Sequence, residues 1–137
     1  MGPVDRTKAA LRFFGDDLDP EEISARLGGE PTVAARKGGV WLTPSGKEAV
    51  ARRGSWRRKV SQRQPGDLDG QIAELFADLT TDLAVWREFA TRCQADIFCG
   101  LFLSEGNQGF TLKPETLAAI GTRGLVLGLD IYGAELD

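Results

Sequence analysis

Histidine is absent from the 137 residues, cysteine occurs twice, and tyrosine and methionine once each. Without imidazole the chain lacks the commonest general base at neutral pH and the commonest metal ligand. That excludes Ser-His and Cys-His catalysis and any His-Glu-x-x-His metal helix. Two cysteines are too few for a Cys-rich zinc site. The start, Met1-Gly2-Pro3-Val4-Asp5-Arg6, has no apolar signal core, and Arg6 stands where a myristoylation signal places Ser or Thr. Cys93 and Cys99 are therefore expected to be buried, reduced thiols. No run approaches the roughly 20 apolar residues that span a bilayer. The expectation is a soluble, cytoplasmic protein with no cofactor, no metal and no membrane contact. Residues 1–137 are read as a single domain, with residues 1–6 loose.

Net charge is small and unevenly distributed along the chain. The net charge is −3, yet residues 36–63 hold nine Lys or Arg against one acid, Glu48, between acidic ends. Neutralisation by neighbouring elements of one fold is the plainer account of this segment, and a basic patch for an acidic partner is the sharper one.

Two helix starts are built alike, Leu18-Asp19-Pro20-Glu21-Glu22-Ile23 and Leu112-Lys113-Pro114-Glu115-Thr116-Leu117. Proline suits the first helical position, where its missing N–H has no intrahelical partner. Asp19 reads as an N-cap with Glu22 placed for a capping box. Leu18 with Ile23, and Leu112 with Leu117, stand at the ends of hydrophobic staples, while Lys113 is a poor cap. Residues 7–14 alternate as a strand, with Ala9, Leu11 and Phe13 on one face and Arg12 and Phe14 on the other. A helix from Pro20 to Leu27 closes at Gly28-Gly29. Residues 32–36 and 39–43 suggest short strands, and residues 54–62 a clearer one. Leu68, Ile72, Leu75, Phe76, Leu79, Leu83, Trp86 and Phe89 recur at helical spacing, with a restart signal at Thr80-Thr81-Asp82. Residues 95–103 read as an interior strand covered on both sides, followed by the second Pro-Glu helix and a last strand over 125–132. The fold class is α+β. A single mixed sheet carries helices mainly on one face, loosely ferredoxin-like, with two strand-helix-strand units.

Few residues invite a chemical reading. Gly46-Lys47 resembles the end of a phosphate loop, but Trp41 stands where the first glycine belongs and Glu48 replaces the magnesium-holding hydroxyl. The acids Asp16 to Glu22 suit a helix N-terminus, and Ser45 with Lys47 lies in a solvated turn. Strand alternation gives the best positional argument. If Leu125, Leu127, Leu129 and Ile131 face the helices, Val126, Asp130 and Tyr132 face away, joined by Phe98, Phe102, Arg12 and Phe14, with Trp56 nearby. Such a face is too aromatic to stand in water and is expected to be covered by residues 38–54 or by a second copy.

Taken together, Leu18-Asp19-Pro20-Glu21-Glu22-Ile23, Leu27-Gly28, Pro31, Arg36-Lys37-Gly38, Gly54-Ser55-Trp56, Cys99-Gly100 and Leu129-Asp130-Ile131-Tyr132 resemble the bacterial family catalogued as domain of unknown function 4279. Gly29 departs from the aliphatic residue expected after Leu27-Gly28. The resemblance implies a small stand-alone intracellular domain and brings no catalytic residue or cofactor.

The leading expectation is a non-enzymatic interaction or structural protein that pairs with itself or another protein. Its surface is drawn from Trp56, Arg57, Arg58, Arg12, Phe98, Phe102, Asp130 and Tyr132. The alternatives are a binder of nucleic acid or an acidic ligand through residues 36–63, and an enzyme using Asp130 and Glu105 with Tyr132.

Overall fold

Proline at positions 20 and 114 opens a helix in each case, as its fixed φ requires. The computed structural model describes residues 2–135. In chain order these form β1 (Gly2–Pro3), β2 (Arg6–Gly15), α1 (Pro20–Leu27), β3 (Val33–Ala35), β4 (Val40–Leu42), β5 (Glu48–Val50) and β6 (Gly54–Lys59). After these come α2 (Leu68–Phe76), α3 (Leu83–Arg92), β7 (Gln94–Phe102), β8 (Gln108–Gly109), α4 (Pro114–Thr122) and β9 (Val126–Tyr132).

The carboxylate of Asp19 accepts the N–H groups of Glu21 and Glu22, so α1 is capped as its sequence dictates. The capping box does not close. Glu22 turns instead to Arg92 in the last turn of α3, at 2.8 Å. Gly28 ends α1 in the left-handed region, φ 82°. At Gly29 a Cβ would lie 2.6 Å from the Leu79 side chain and 2.8 Å from Arg58, so those two side chains fill the space an aliphatic residue would take. Lys113 supplies no cap to α4, and Asp69 of α2 does so from outside. Its Oδ1 accepts from the Lys113 N–H at 3.0 Å and from the Thr116 hydroxyl at 2.5 Å. Leu117 is 51% exposed, so the second expected staple is not made.

The long helical pattern divides at its restart signal. Asp82 accepts from the Ala84 N–H and begins α3, while Leu79 between the two helices stays buried. Two short pairings escaped the sequence reading. β5 returns antiparallel on β4, and β1 pairs parallel with β8. With Val4 buried, residues 2–4 are tied down rather than loose. Met1 lies outside the described residues.

The main sheet has the order β3-β6-β2-β7-β9. β2 runs antiparallel to both β6 and β7, and β9 runs parallel to β7. Both strand-helix-strand units are present, and they differ. β6 is inserted between β2 and β3, whereas β7 and β9 are direct neighbours, so the ferredoxin-like split is confined to the first unit.

One hydrophobic cluster lies between the sheet and the helices. Leu11 and Phe13 of β2, Trp56 of β6 and Ile97 of β7 meet Ile23, Leu27, Ile72, Leu75, Trp86 and Phe89. The Phe13 ring is its aromatic centre, 5.7 Å from Trp56, 6.3 Å from Trp86 and 6.2 Å from Phe89. β7 is interior to the sheet, but only one of its faces meets helices. Phe98 and Phe102, on the other face, are half-buried.

Candidate functional site

The face of the sheet turned away from the helices is built by period-two alternation from four strands. β2 contributes Arg6, Lys8, Ala10, Arg12 and Phe14. In register on β7 stand Phe102, Gly100, Phe98, Asp96 and Gln94. β9 adds Tyr132 beside Phe102 and Asp130 beside Gly100. On β6, Lys59 pairs with Ala10, Arg57 with Arg12 and Ser55 with Phe14.

The rings on this face are roofed by cations from β2 and from the bend before β6. The Arg12 guanidinium lies 4.0 Å from the Phe98 centroid and forms a two-pronged pair with Asp96, at 2.9 and 2.7 Å. Arg6 sits 4.2 Å over Phe102, whose other neighbour is the Tyr132 ring, stacked at 4.6 Å and 2°. Arg53 sits 4.3 Å over Phe14. Each such contact contributes roughly 0.5–1 kcal/mol at an exposed site. The aromatic rings are thus shielded while the surface offered to solvent is largely cationic. Segment 38–54 borders only the Phe14 corner, where Trp41 and Ala51 line a groove with it. None of that segment lines the groove of about 260 Å³ around Lys8, Lys59, Phe98, Phe102, Asp130 and Tyr132.

Of the expected surface residues, Arg12, Phe98, Phe102, Asp130, Tyr132 and Arg57 share this face. Trp56 does not, and the expectation is corrected: it is 0% exposed on the helix side, its Nε1 donating to the Ser24 hydroxyl at 3.0 Å. Arg58 also faces the helices and pairs with Asp78 at 2.8 Å. Alternation carries both away from Arg57. Arg6, Lys8, Arg53, Lys59 and Trp41 were missed. For Arg6 and Lys8 the signal was available, since they lie an even number of residues from Arg12 in the same strand.

The family described as Domain of unknown function (DUF4279) has a model that matches residues 5–134. The chain belongs to this family. Neither a search of the curated proteins nor one of the solved structures finds a match to it.

In this DUF4279 domain the basic segment is partly neutralised within the fold. Arg36 pairs with Asp19 and Glu21, Lys37 with Asp16, Arg58 with Asp78, and Arg63 with Asp67 and Glu74. Lys47, Arg52, Arg53, Arg57 and Lys59 have no ion-pair partner among the described residues, and the last four adjoin the uncovered face. Neutralisation within the fold therefore accounts for part of the segment and leaves these five cations without an ion pair among the described residues.

Several carboxylates of the DUF4279 domain are held by arginines and backbone N–H groups of the fold. Arg92 holds Glu22 below the usual carboxylate range by a hydrogen bond. Arg26 and Arg92 do the same for Glu88, and Arg58 for Asp78. The Asp67 carboxyl is lowered chiefly by the Gly70 N–H. The Tyr132 hydroxyl donates to Asp130 at 2.7 Å, which raises the phenol above its ordinary value and keeps it protonated. Glu105 stands exposed in the turn after β7, with no hydrogen bond to either residue among those described. Cys93 and Cys99 are free, and burial pushes the Cys99 thiol up to about 12. A cavity of about 380 Å³ lies beside β1 and the start of α2. Its acids, Asp67 and Asp69, already serve as helix caps. Among the described residues no group of three Cys, Asp or Glu is arranged to hold a metal ion, and no helix is long and apolar enough to cross a membrane.

Proposed function

We propose that this DUF4279 domain is a non-catalytic binding module that holds an acidic protein partner against the uncovered face of its five-stranded sheet. The observation that carries the reading is the charge balance of that face. Arg6, Lys8, Arg12, Arg53, Arg57 and Lys59 are set against two carboxylates, Asp96 and Asp130, and Arg12 already occupies the first. Unpaired cations beside a half-buried aromatic layer attract a negative surface over short range. A protein is favoured over nucleic acid on two counts. The net charge of −3 opposes long-range attraction of a polyanion, and the rings a base would stack on are already occupied by guanidinium groups.

The test is fluorescence anisotropy at low salt with a labelled decaglutamate peptide and a single-stranded oligonucleotide of equal length. The peptide is expected to bind, and Lys8→Glu with Lys59→Glu to weaken it about tenfold, some 1.4 kcal/mol. Tighter binding of the oligonucleotide, or no binding of either, would overturn the reading.

A second reading, self-association, rests on β9. It is an edge strand with a free row of backbone groups, and it carries no lysine or proline to blunt it. Leu129 is 40% and Ile131 57% exposed. Antiparallel pairing of two copies about Leu129 would set Leu127 against Ile131 and Val126 against Tyr132, with Asp130 opposite Gly128 rather than another acid. Sedimentation velocity is expected to show a concentration-dependent dimer that Leu129→Lys abolishes. A wild-type chain that stays monomeric at the highest soluble concentration removes this reading.

A further inference from the structure

We infer that the groove at the Phe14 corner of the uncovered face is a site for a phosphate monoester carried on a flat group. The inference rests on the acidic-partner reading above and gives that surface a specific ligand chemistry. The groove holds about 220 Å³, and its lining brings together Arg52, Arg53, Arg57, Trp41 and Phe14, with no carboxylate among the lining residues.

Arg57 is the decisive residue. On the adjacent strand it stands directly opposite Arg12, an arrangement of like charges that weakens a sheet unless something offsets it. Arg12 is offset by Asp96 in a two-pronged pair. Arg57 has no ion pair among the described residues, and its Nε is shielded from solvent with no acceptor. A buried N–H without a partner is rare in folded proteins and calls for an explanation. An oxyanion in the groove, which the Arg57 side chain lines, would give this guanidinium the partner it lacks.

The charge count selects the class. Three guanidinium groups without a neighbouring acid balance a doubly charged phosphoryl group better than a single carboxylate. The planar fork of arginine also matches two phosphate oxygens at once. Arg53 is already positioned, its Nη1 donating to Gln94 Oε1 at 2.9 Å and its plane lying over Phe14. Trp41, which also lines the groove, offers an apolar wall to the first atoms of the carrier. The volume falls below the roughly 300–1,000 Å³ of ordinary ligand pockets, so it suits a phosphoryl group and a single ring rather than a whole nucleotide.

Isothermal titration of the full chain with phenyl phosphate, inorganic phosphate and benzoate tests this. Phenyl phosphate is expected to bind at least about tenfold more tightly than benzoate, a difference of some 1.4 kcal/mol, and more tightly than inorganic phosphate. Arg57→Gln, and separately the exposed Arg52→Gln, are each expected to lower phenyl phosphate affinity several-fold, and Arg52→Gln, which lies outside the six cations of the acidic-partner face, leaves decaglutamate binding unchanged. Equal affinity for phenyl phosphate and benzoate, or indifference to both substitutions, overturns the inference. If decaglutamate binding survives that result, the acidic-partner reading stands alone, and if it is absent too, both fall. A decaglutamate peptide carrying one phosphotyrosine distinguishes the sources. Tighter binding than phenyl phosphate assigns the monoester to a protein partner, and equal binding assigns it to a free small molecule.

Discussion

Phe13→Ala is expected to remove a large share of the domain's stability. Phe13 sits in the central strand β2, is fully buried, and its ring touches the aromatic groups of β6 and α3 through Trp56, Trp86 and Phe89. Truncation removes the transfer free energy of the ring and leaves a void that three rigid aromatic neighbours cannot collapse to fill. Such Phe→Ala changes cost about 3–5 kcal/mol, against a typical stability of about 5–15. Urea melts should show a large fall in midpoint. Phe14→Ala is the internal control, since the next residue lies on the opposite face, half-buried under Arg53 and Arg12. Its cost should be well below that of Phe13→Ala, and equal costs would contradict the assignment of the two faces.

Gln71→Leu should be the most damaging change of a polar side chain. Gln71 is 0% exposed on α2, at the edge of the core. Its Nε2 donates to the carbonyls of Thr7 and Ser61, at 2.9 and 3.0 Å, and its Oε1 accepts from the Thr7 hydroxyl at 2.7 Å. The Thr7 hydroxyl oxygen in turn accepts from the Asp67 N–H, the residue that caps α2. This small network fixes the start of α2 against the middle strand and the chain leaving β6. Leucine has nearly the same volume, so the loss isolates the polar contribution. An orphaned buried group costs about 1–3 kcal/mol. Because the two side chains satisfy each other, Gln71→Leu combined with Thr7→Val should cost less than the sum of the single changes. Strict additivity in urea melts would show that the network is not coupled.

Much of the architecture could be read from local chemistry. Pro20, Asp19 and Gly28 define α1 because capping and proline geometry act over a few residues, and the split at Asp82 was visible for the same reason. The packed side of β2 followed from strict alternation. What escaped depends on distant partners. A two-residue pairing such as β1 with β8 has no periodicity to detect, and Asp69 capping α4 joins residues far apart in sequence. Leu129 and Ile131 were expected beneath a helix, but α4 has nine residues and covers only the start of β9. The candidate surface was legible wherever alternation was applied consistently, as at Arg12, Phe98, Phe102 and Tyr132. It failed at Trp56 and Arg58, which were grouped with Arg57 by proximity in sequence although a strand sends neighbours to opposite sides. The roofing of rings by guanidinium groups was not legible, because it joins side chains of different strands.

The two ends of the main sheet are unequal. β3 offers three residues a short distance after Pro31, whereas β9 offers seven. A sheet with one extendable end joins a copy of itself once, by a symmetric contact, and then presents only its short ends outward. Growth into a ribbon or fibril has no footing there. For pairing through the edges of the main sheet, the lopsided outline of the layer thus favours a closed pair over a ribbon, a bias built into chain geometry rather than into surface charge.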